Sequence, residues 1–141
     1  MISTETWPQP AIRMMVLAQR FQKFLVVGSF GLAVNQGLLF VFRSLLDLRL
    51  DIASPIAILI SMVVTFGLNE HWTWHDRGSG LIIHRLFFYC PINSVGLLIN
   101  FGVLRYLVHE HNWHYLMANL VGAGFAAVWN FSLNHMITWR D

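Results

Sequence analysis

Residues 66–74 read FGLNEHWTW and residues 131–139 read FSLNHMITW, with Phe, Leu, Asn, Thr and Trp at matching places 65 positions apart. The same offset extends far beyond the two phrases. Set without gaps, residues 20–76 and 85–141 share 15 identical pairs out of 57. They include Arg20/Arg85, Ser29/Ser94, Gly31/Gly96, Asn35/Asn100, Asn69/Asn134, Thr73/Thr138, Trp74/Trp139 and Asp76/Asp141. A shared taste for Leu and Val would not align Arg, Gly, Asn, Thr, Trp and Asp in one register. The chain therefore reads as a doubled unit, with repeats at 20–76 and 85–141 behind an N-terminal segment, 1–19.

Composition says what each unit is made of. Hydrophobic residues are 56% of the chain and charged residues 11%, against about 25% charged in an ordinary soluble domain. The few charges fall between long apolar runs. Residues 24–42 lie between Lys23 and Arg43, 52–69 between Asp51 and Glu70, and 86–104 between Arg85 and Arg105. From 112 to 139 there is no Asp, Glu, Lys or Arg. A bilayer is crossed by about 20 predominantly apolar residues, so four spans are expected, at about 24–42, 52–69, 86–104 and 115–137. The fold class is thus all-α integral membrane, four transmembrane helices built as two hairpins. Each hairpin has an even number of spans, so the two copies face the same way and form a parallel repeat.

The basic residues orient the chain. With four spans, Arg13, Arg20, Lys23, Arg77, Arg85 and Arg140 share one side, leaving Arg43, Arg49 and Arg105 on the other. The excess of positive charge marks the cytoplasmic face, so both termini are expected in the cytoplasm. Trp72, Trp74 and Trp139 are then expected as an interfacial aromatic belt on that side, and Trp113 and Tyr115 on the other. Residues 11–17 are apolar but short and broken by Arg13, with no small-residue cleavage site after them, so they do not read as a signal peptide. They suit an amphipathic stretch at the interface, and Pro8 and Pro10 point to an extended start. Cys90, the single cysteine, has no partner in the chain and reads as a small buried hydrophobe.

Polar residues within the spans repeat as well. Gly28, Gly31 and Asn35 lie three and four apart on one helix face, answered by Asn93, Gly96 and Asn100. Ser54, Ser61, Thr65 and Asn69 are answered by Asn119, Ala126, Asn130 and Asn134. Small and amide side chains on one stripe support close helix contact in lipid. The alternative is that some amides line a crevice for a hydrophilic group, for which Asn35, Asn69, Asn100, Asn130 and Asn134 are the candidates.

The phrase FLVVGSFGLAVNQGLL (24–39) resembles the opening helix of GtrA-like membrane proteins. NEHWTW (69–74) resembles that family's phrase closing the second helix, and HYLMANLVGAGFAAVWNFSLNHMITW (114–139) its fourth helix. The resemblance covers residues 20–140. It implies translocation of a polyprenyl-phosphate-linked monosaccharide across the bacterial cytoplasmic membrane for glycosylation of cell-envelope polysaccharide. The alternative it carries is an accessory subunit that anchors or stabilises a membrane glycosyltransferase. Neither role makes the chain an enzyme or demands a cofactor. The implied partners are the lipid-linked sugar, membrane lipids and a glycosyltransferase, with a homo-oligomer as a further option and no nucleic acid. The family's amide positions fall on Asn35, Asn69, Asn130 and Asn134, and its small-residue positions on Gly28 and Gly31. Glu70 and His71 depart from the basic residue frequent after the first of the closing asparagines.

A lipid phosphate sits at headgroup level, where Arg20, Lys23 and Arg85 are expected. A guanidinium remains charged there and can hold phosphate bidentately, although anchoring on anionic lipid uses the same residues. His109, His111 and His114 are spaced like metal ligands but read as interfacial imidazoles, so no metal site is expected. The sequence contains no nucleotide-binding fingerprint. No span carries Asp or Glu away from its ends, which argues against a proton-coupled exporter, since such proteins need an ionisable group in the membrane.

Overall fold

The computed structural model describes residues 6–140. The described residues contain helices and no strand. They comprise α1 (Gln9–Phe40), α2 (Leu50–Leu68), α3 (Ile82–His111) and α4 (Tyr115–Leu133). Three of the four run on into a π-helical turn, at Val41–Leu45, Asn69–Thr73 and Asn134–Thr138. All four are long and apolar enough to cross a membrane, and the chain is a multi-pass membrane protein. It divides into two compact units, residues 1–75 and 76–141. The first pairs α1 with α2 and the second pairs α3 with α4.

The N-terminal half of α1 differs from expectation. Helix begins at Gln9, with Pro10 in the first turn, where a missing N–H costs nothing. The Pro8 carbonyl accepts from the amides of Ala11 and Ile12 at 3.0 and 3.2 Å. Residues 11–23 are mostly good helix formers with no Gly or Pro among them, so the stretch expected at the interface and the first span form one continuous helix. Residues 1–5 of the expected extended start, and Asp141 of the Asp76/Asp141 pair, lie outside the described residues.

The turn between α1 and α2 is tight. Asp47 takes a left-handed backbone (φ 52°), and Arg43 donates from Nη1 to the Leu48 carbonyl at 2.8 Å. Arg49 and Asp51 form an exposed ion pair at the start of α2. Asn112 (φ 55°) ends α3 in the left-handed conformation, which short polar side chains tolerate best. His114 caps α4 by accepting the Leu116 amide at 3.2 Å.

Inside the first hairpin the helices meet at Gly31, where a side chain would collide with the Thr65 methyl group. This closeness lets Ser61 donate to the Gly31 carbonyl at 2.6 Å. Ala53 and Ala57 are fully buried on the same seam. The second hairpin repeats the pattern with other residues. Gly96 faces the Asn130 amide, Gly122 faces Asn100, and Ala118 is fully buried. Trp129 spans the pair by donating from Nε1 to the Ile92 carbonyl at 3.1 Å. Gly31 and Gly96 thus lie at the helix contact as their spacing suggests. Gly28 does not: it is exposed, with open space where a Cβ would be.

A Cβ on Gly122 would lie 2.8 Å from the Asn100 carbonyl oxygen, whereas one on Gly124 would meet nothing within 4 Å. Gly122→Ala should therefore lower stability by about 1–3 kcal/mol through overpacking. Gly124→Ala should leave it unchanged or raise it by up to about 1 kcal/mol through helix propensity. Reversible unfolding in mixed micelles measures both.

Candidate functional site

The repeated phrase closes each hairpin through one device. At Asn69–Thr73 and again at Asn134–Thr138 the helix opens into a π turn. The amide of Trp74 reaches the Asn69 carbonyl at 2.9 Å, and that of Trp139 the Asn134 carbonyl at 2.9 Å. Within each turn a threonine hydroxyl donates to the asparagine side-chain oxygen. The distances are 2.8 Å for Thr73 to Asn69 and 2.7 Å for Thr138 to Asn134. All four of these residues are buried.

The π turn corrects the expected belt. In an uninterrupted α-helix Trp74 would sit five residues beyond Asn69, roughly 140° around the axis, while Trp72 would lie nearer the Asn69 face. Closing the turn at the fifth residue brings Trp74 back under Asn69 and turns Trp72 outward. Trp74 and Trp139 are accordingly 0% exposed and Trp72 44%. Trp74 packs edge-to-face on Phe24 at 5.8 Å between ring centroids, and Trp139 does the same on Tyr89 at 5.7 Å. These tryptophans close the hairpins instead of facing lipid.

The expected cations flank the closed ends. In the first hairpin Lys23 sits with its ammonium 5.6 Å from the Trp72 ring centre, a cation–π arrangement, and Arg20 is half-buried one turn earlier on α1. In the second hairpin Arg85 is held by the loop before α3. Its Nη1 donates to the carbonyls of Ser79 and Gly80 at 3.1 and 3.0 Å, and its stem covers Gly78. Both glycines have positive φ, 104° at Gly78 and 75° at Gly80, which bends the loop around the guanidinium. Arg77 was not singled out as a site residue, yet it lies at the same end. Its Nη1 is 2.8 Å from Nε2 and 3.1 Å from Nδ1 of His135, whose ring stacks on Phe131. The only sequence signal for this pair was the basic character of residues 77–85 and 135–140.

The amides are distributed unequally. Asn35 is half-buried on α1, and Asn69 is enclosed with Thr73. In the second hairpin Asn100 and Asn130 lie on the α3–α4 seam and Asn134 beneath it. Their Oδ1, Oδ1 and Nδ2 atoms respectively are buried with no hydrogen-bond partner. Orphaned polar atoms of this kind are uncommon in native proteins.

Two of the histidines at the α3–α4 connection have local tasks. His111 lies 3.0 Å from the Tyr106 hydroxyl and His114 caps α4. Among the described residues no three His, Cys, Asp or Glu side chains form a group fit for a metal ion.

The family described as GtrA/DPMS, transmembrane domain, matches residues 23–139. A Pyrococcus furiosus protein named dolichol-phosphate mannosyltransferase is 32% identical over 120 residues, covering 85% of this chain and 34% of its own length. The chain thus spans about a third of that relative.

Thr73→Val keeps the shape of the first π turn but leaves the Asn69 oxygen without its hydroxyl donor. The cost expected for a buried orphan is about 1–3 kcal/mol, and Thr138→Val should behave alike. Unfolding in micelles reads the loss. Emission from Trp74 and Trp139 should become accessible to a brominated-lipid quencher in these variants, while Trp72 is quenched in the parent.

Proposed function

The chain belongs to the GtrA/DPMS transmembrane domain family, and from that premise we propose that it moves a polyprenyl-phosphate-linked monosaccharide across the cytoplasmic membrane. The observation that carries this reading lies within the second hairpin. One end holds Arg85 in a loop of carbonyls, and the seam leading into the membrane contains amide atoms without hydrogen-bond partners. A lipid-linked sugar presents the matching sequence of groups: an anionic phosphate at headgroup depth, then hydroxyls that must be kept from hydrocarbon.

In this mechanism Arg85 engages lipid phosphate at the end of the second hairpin, and Arg20 and Lys23 are the equivalent candidates within the first. Guanidinium groups suit the task because they stay charged at the interface and offer several donors at once. Asn100, Asn130 and Asn134 supply the polar lining within the second hairpin, whereas Asn69 of the first already holds the Thr73 hydroxyl. The orientation consistent with it places both termini and the cation-rich ends in the cytoplasm, in a bacterial inner membrane. The chain itself makes and breaks no covalent bond.

A second reading has its own support. The relative named as a mannosyltransferase extends well beyond the matched third of its length. By analogy, this chain anchors or stabilises a glycosyltransferase in the membrane and transports nothing.

Proteoliposomes containing only this protein and a labelled polyprenyl-phosphate hexose separate the two. Transport predicts faster exposure of the sugar to an external reagent than in empty vesicles, and the anchoring role predicts no acceleration. Arg85→Ala should slow the accelerated process by about 10–100-fold, the equivalent of one charge-assisted hydrogen-bond set. An unchanged rate would remove Arg85 from the phosphate role. Incubation of the purified chain with a nucleotide sugar and polyprenyl phosphate should give no glycolipid product.

A further inference from the structure

The two hairpins differ in how far their seam residues are satisfied: the hydroxyls of the first find acceptors, and amide atoms of the second do not. A residue in a helix can place a hydroxyl proton on a carbonyl of the preceding turn, because carbonyl oxygens have a spare lone pair. Thr65 does this with one shared proton, its Oγ1 lying 3.0 Å from the carbonyl oxygens of both Ser61 and Met62. Ser61 donates across to Gly31, and Thr73 to Asn69. The hydroxyls of the first seam thus find acceptors inside the protein.

At the equivalent places 65 residues on, Ala126 replaces Ser61 and Asn130 replaces Thr65. An amide oxygen needs a donor, and the interior of an α-helix has none to spare, because each N–H is already spent on the carbonyl four residues earlier. Asn130 Oδ1 and Asn100 Oδ1 are therefore left without partners, and so is Nδ2 of Asn134, a residue that is 0% exposed. Asn130 and Asn134 occupy consecutive turns of the same strand of chain. Asn130 faces Gly96, one turn from Asn100 on α3. The three amides follow one another along the second hairpin, and their unpartnered atoms are two acceptors and one donor. In hydrocarbon no solvent is at hand to satisfy such groups.

We propose that the α3–α4 seam, and not the α1–α2 seam, is the part of the protein that receives the sugar's hydroxyl groups. This inference rests on the lipid-linked sugar being the ligand. A hydroxyl both donates and accepts, so one kind of group satisfies Asn100, Asn130 and Asn134 together. An ionised phosphate only accepts, so it could take amide N–H groups but would leave the oxygens of Asn100 and Asn130 without a donor. Water has the same hydrogen-bonding capacity as a sugar hydroxyl, so the sources are told apart by the ligand used.

The test is thermal unfolding of the purified full chain in micelles with polyprenyl-phosphate hexose or with the same polyprenyl phosphate lacking sugar. The sugar-bearing lipid should raise the midpoint of the parent protein further than the bare phosphate does. Asn130→Thr installs the residue that the first hairpin uses at this place, opposite a glycine in both cases, and should fold. It should lose the sugar-dependent part of the shift and keep the part due to phosphate. Asn100→Leu should do the same, and Thr65→Val should retain the full shift. Persistence of the sugar-dependent shift in both Asn130→Thr and Asn100→Leu would overturn the assignment, as would its equal loss in Thr65→Val. Equal shifts of the parent with both lipids would mean that the seam holds water only, also overturning it, while lipid-phosphate binding stood. No shift with either lipid would refute the lipid-linked sugar reading itself.

Discussion

A threonine hydroxyl on an asparagine oxygen, repeated once in each hairpin, sets the geometry around which the rest of each unit closes. The bond spans a π turn and is buried on all sides. A π turn in isolation is a poor use of backbone hydrogen bonds, and such turns are rare. Here the side-chain bond compensates, and the added residue rotates a tryptophan from the outer surface onto the neighbouring helix. The indole then rests on Phe24 in one hairpin and on Tyr89 in the other. Without the turn, the outward Trp72 and the inward Trp74 would exchange faces, and the first helix would lose the largest side chain it packs against.

Above that closure the helices approach through glycine. Gly31 and Gly96 occupy equivalent places, and each is covered by the residue equivalent to the other's partner, Thr65 or Asn130. Helix association in lipid depends on van der Waals contact and hydrogen bonding because hydrocarbon offers no hydrophobic gain. The first hairpin uses hydroxyls, which tie to nearby carbonyls. The second uses amides and an indole, of which only the indole finds a backbone acceptor across the seam. Duplication preserved the backbone solution and allowed its polar content to diverge.

Much of this architecture was legible in the residues. The four spans follow from where the charges are absent, and the two-hairpin plan from the offset of 65. Gly31 and Gly96 stand out because they recur with Asn35 and Asn100 one turn later. Gly28 shares their spacing but not their role. Three- and four-residue spacing defines a face broader than the contact line, and only the crossing decides which glycine lies on it. The inward tryptophans were hidden for a different reason. Extrapolating a helix assumes 3.6 residues per turn, and a single wider turn invalidates every facing beyond it. The pairing of Asn69 with Thr73 and of Asn134 with Thr138 was nevertheless a sign, since the same i, i+4 polar pair precedes Trp in both copies. The unequal satisfaction of the amides was not legible at all, because it depends on which donors and acceptors each seam leaves available.

The continuity of α1 has a mechanical consequence. Its 32 residues without an internal break form a rod of roughly 48 Å, against a hydrocarbon thickness of about 30 Å. The charged N-terminal turns are therefore not a float that settles on the membrane independently of the span. A change of 10° in the inclination of α1 would sweep its far end through roughly 8 Å. A headgroup that pulls on Arg13, Arg20 or Lys23 exerts torque on the helix that carries Gly31, and any motion of that seam is written, magnified, at Gln9.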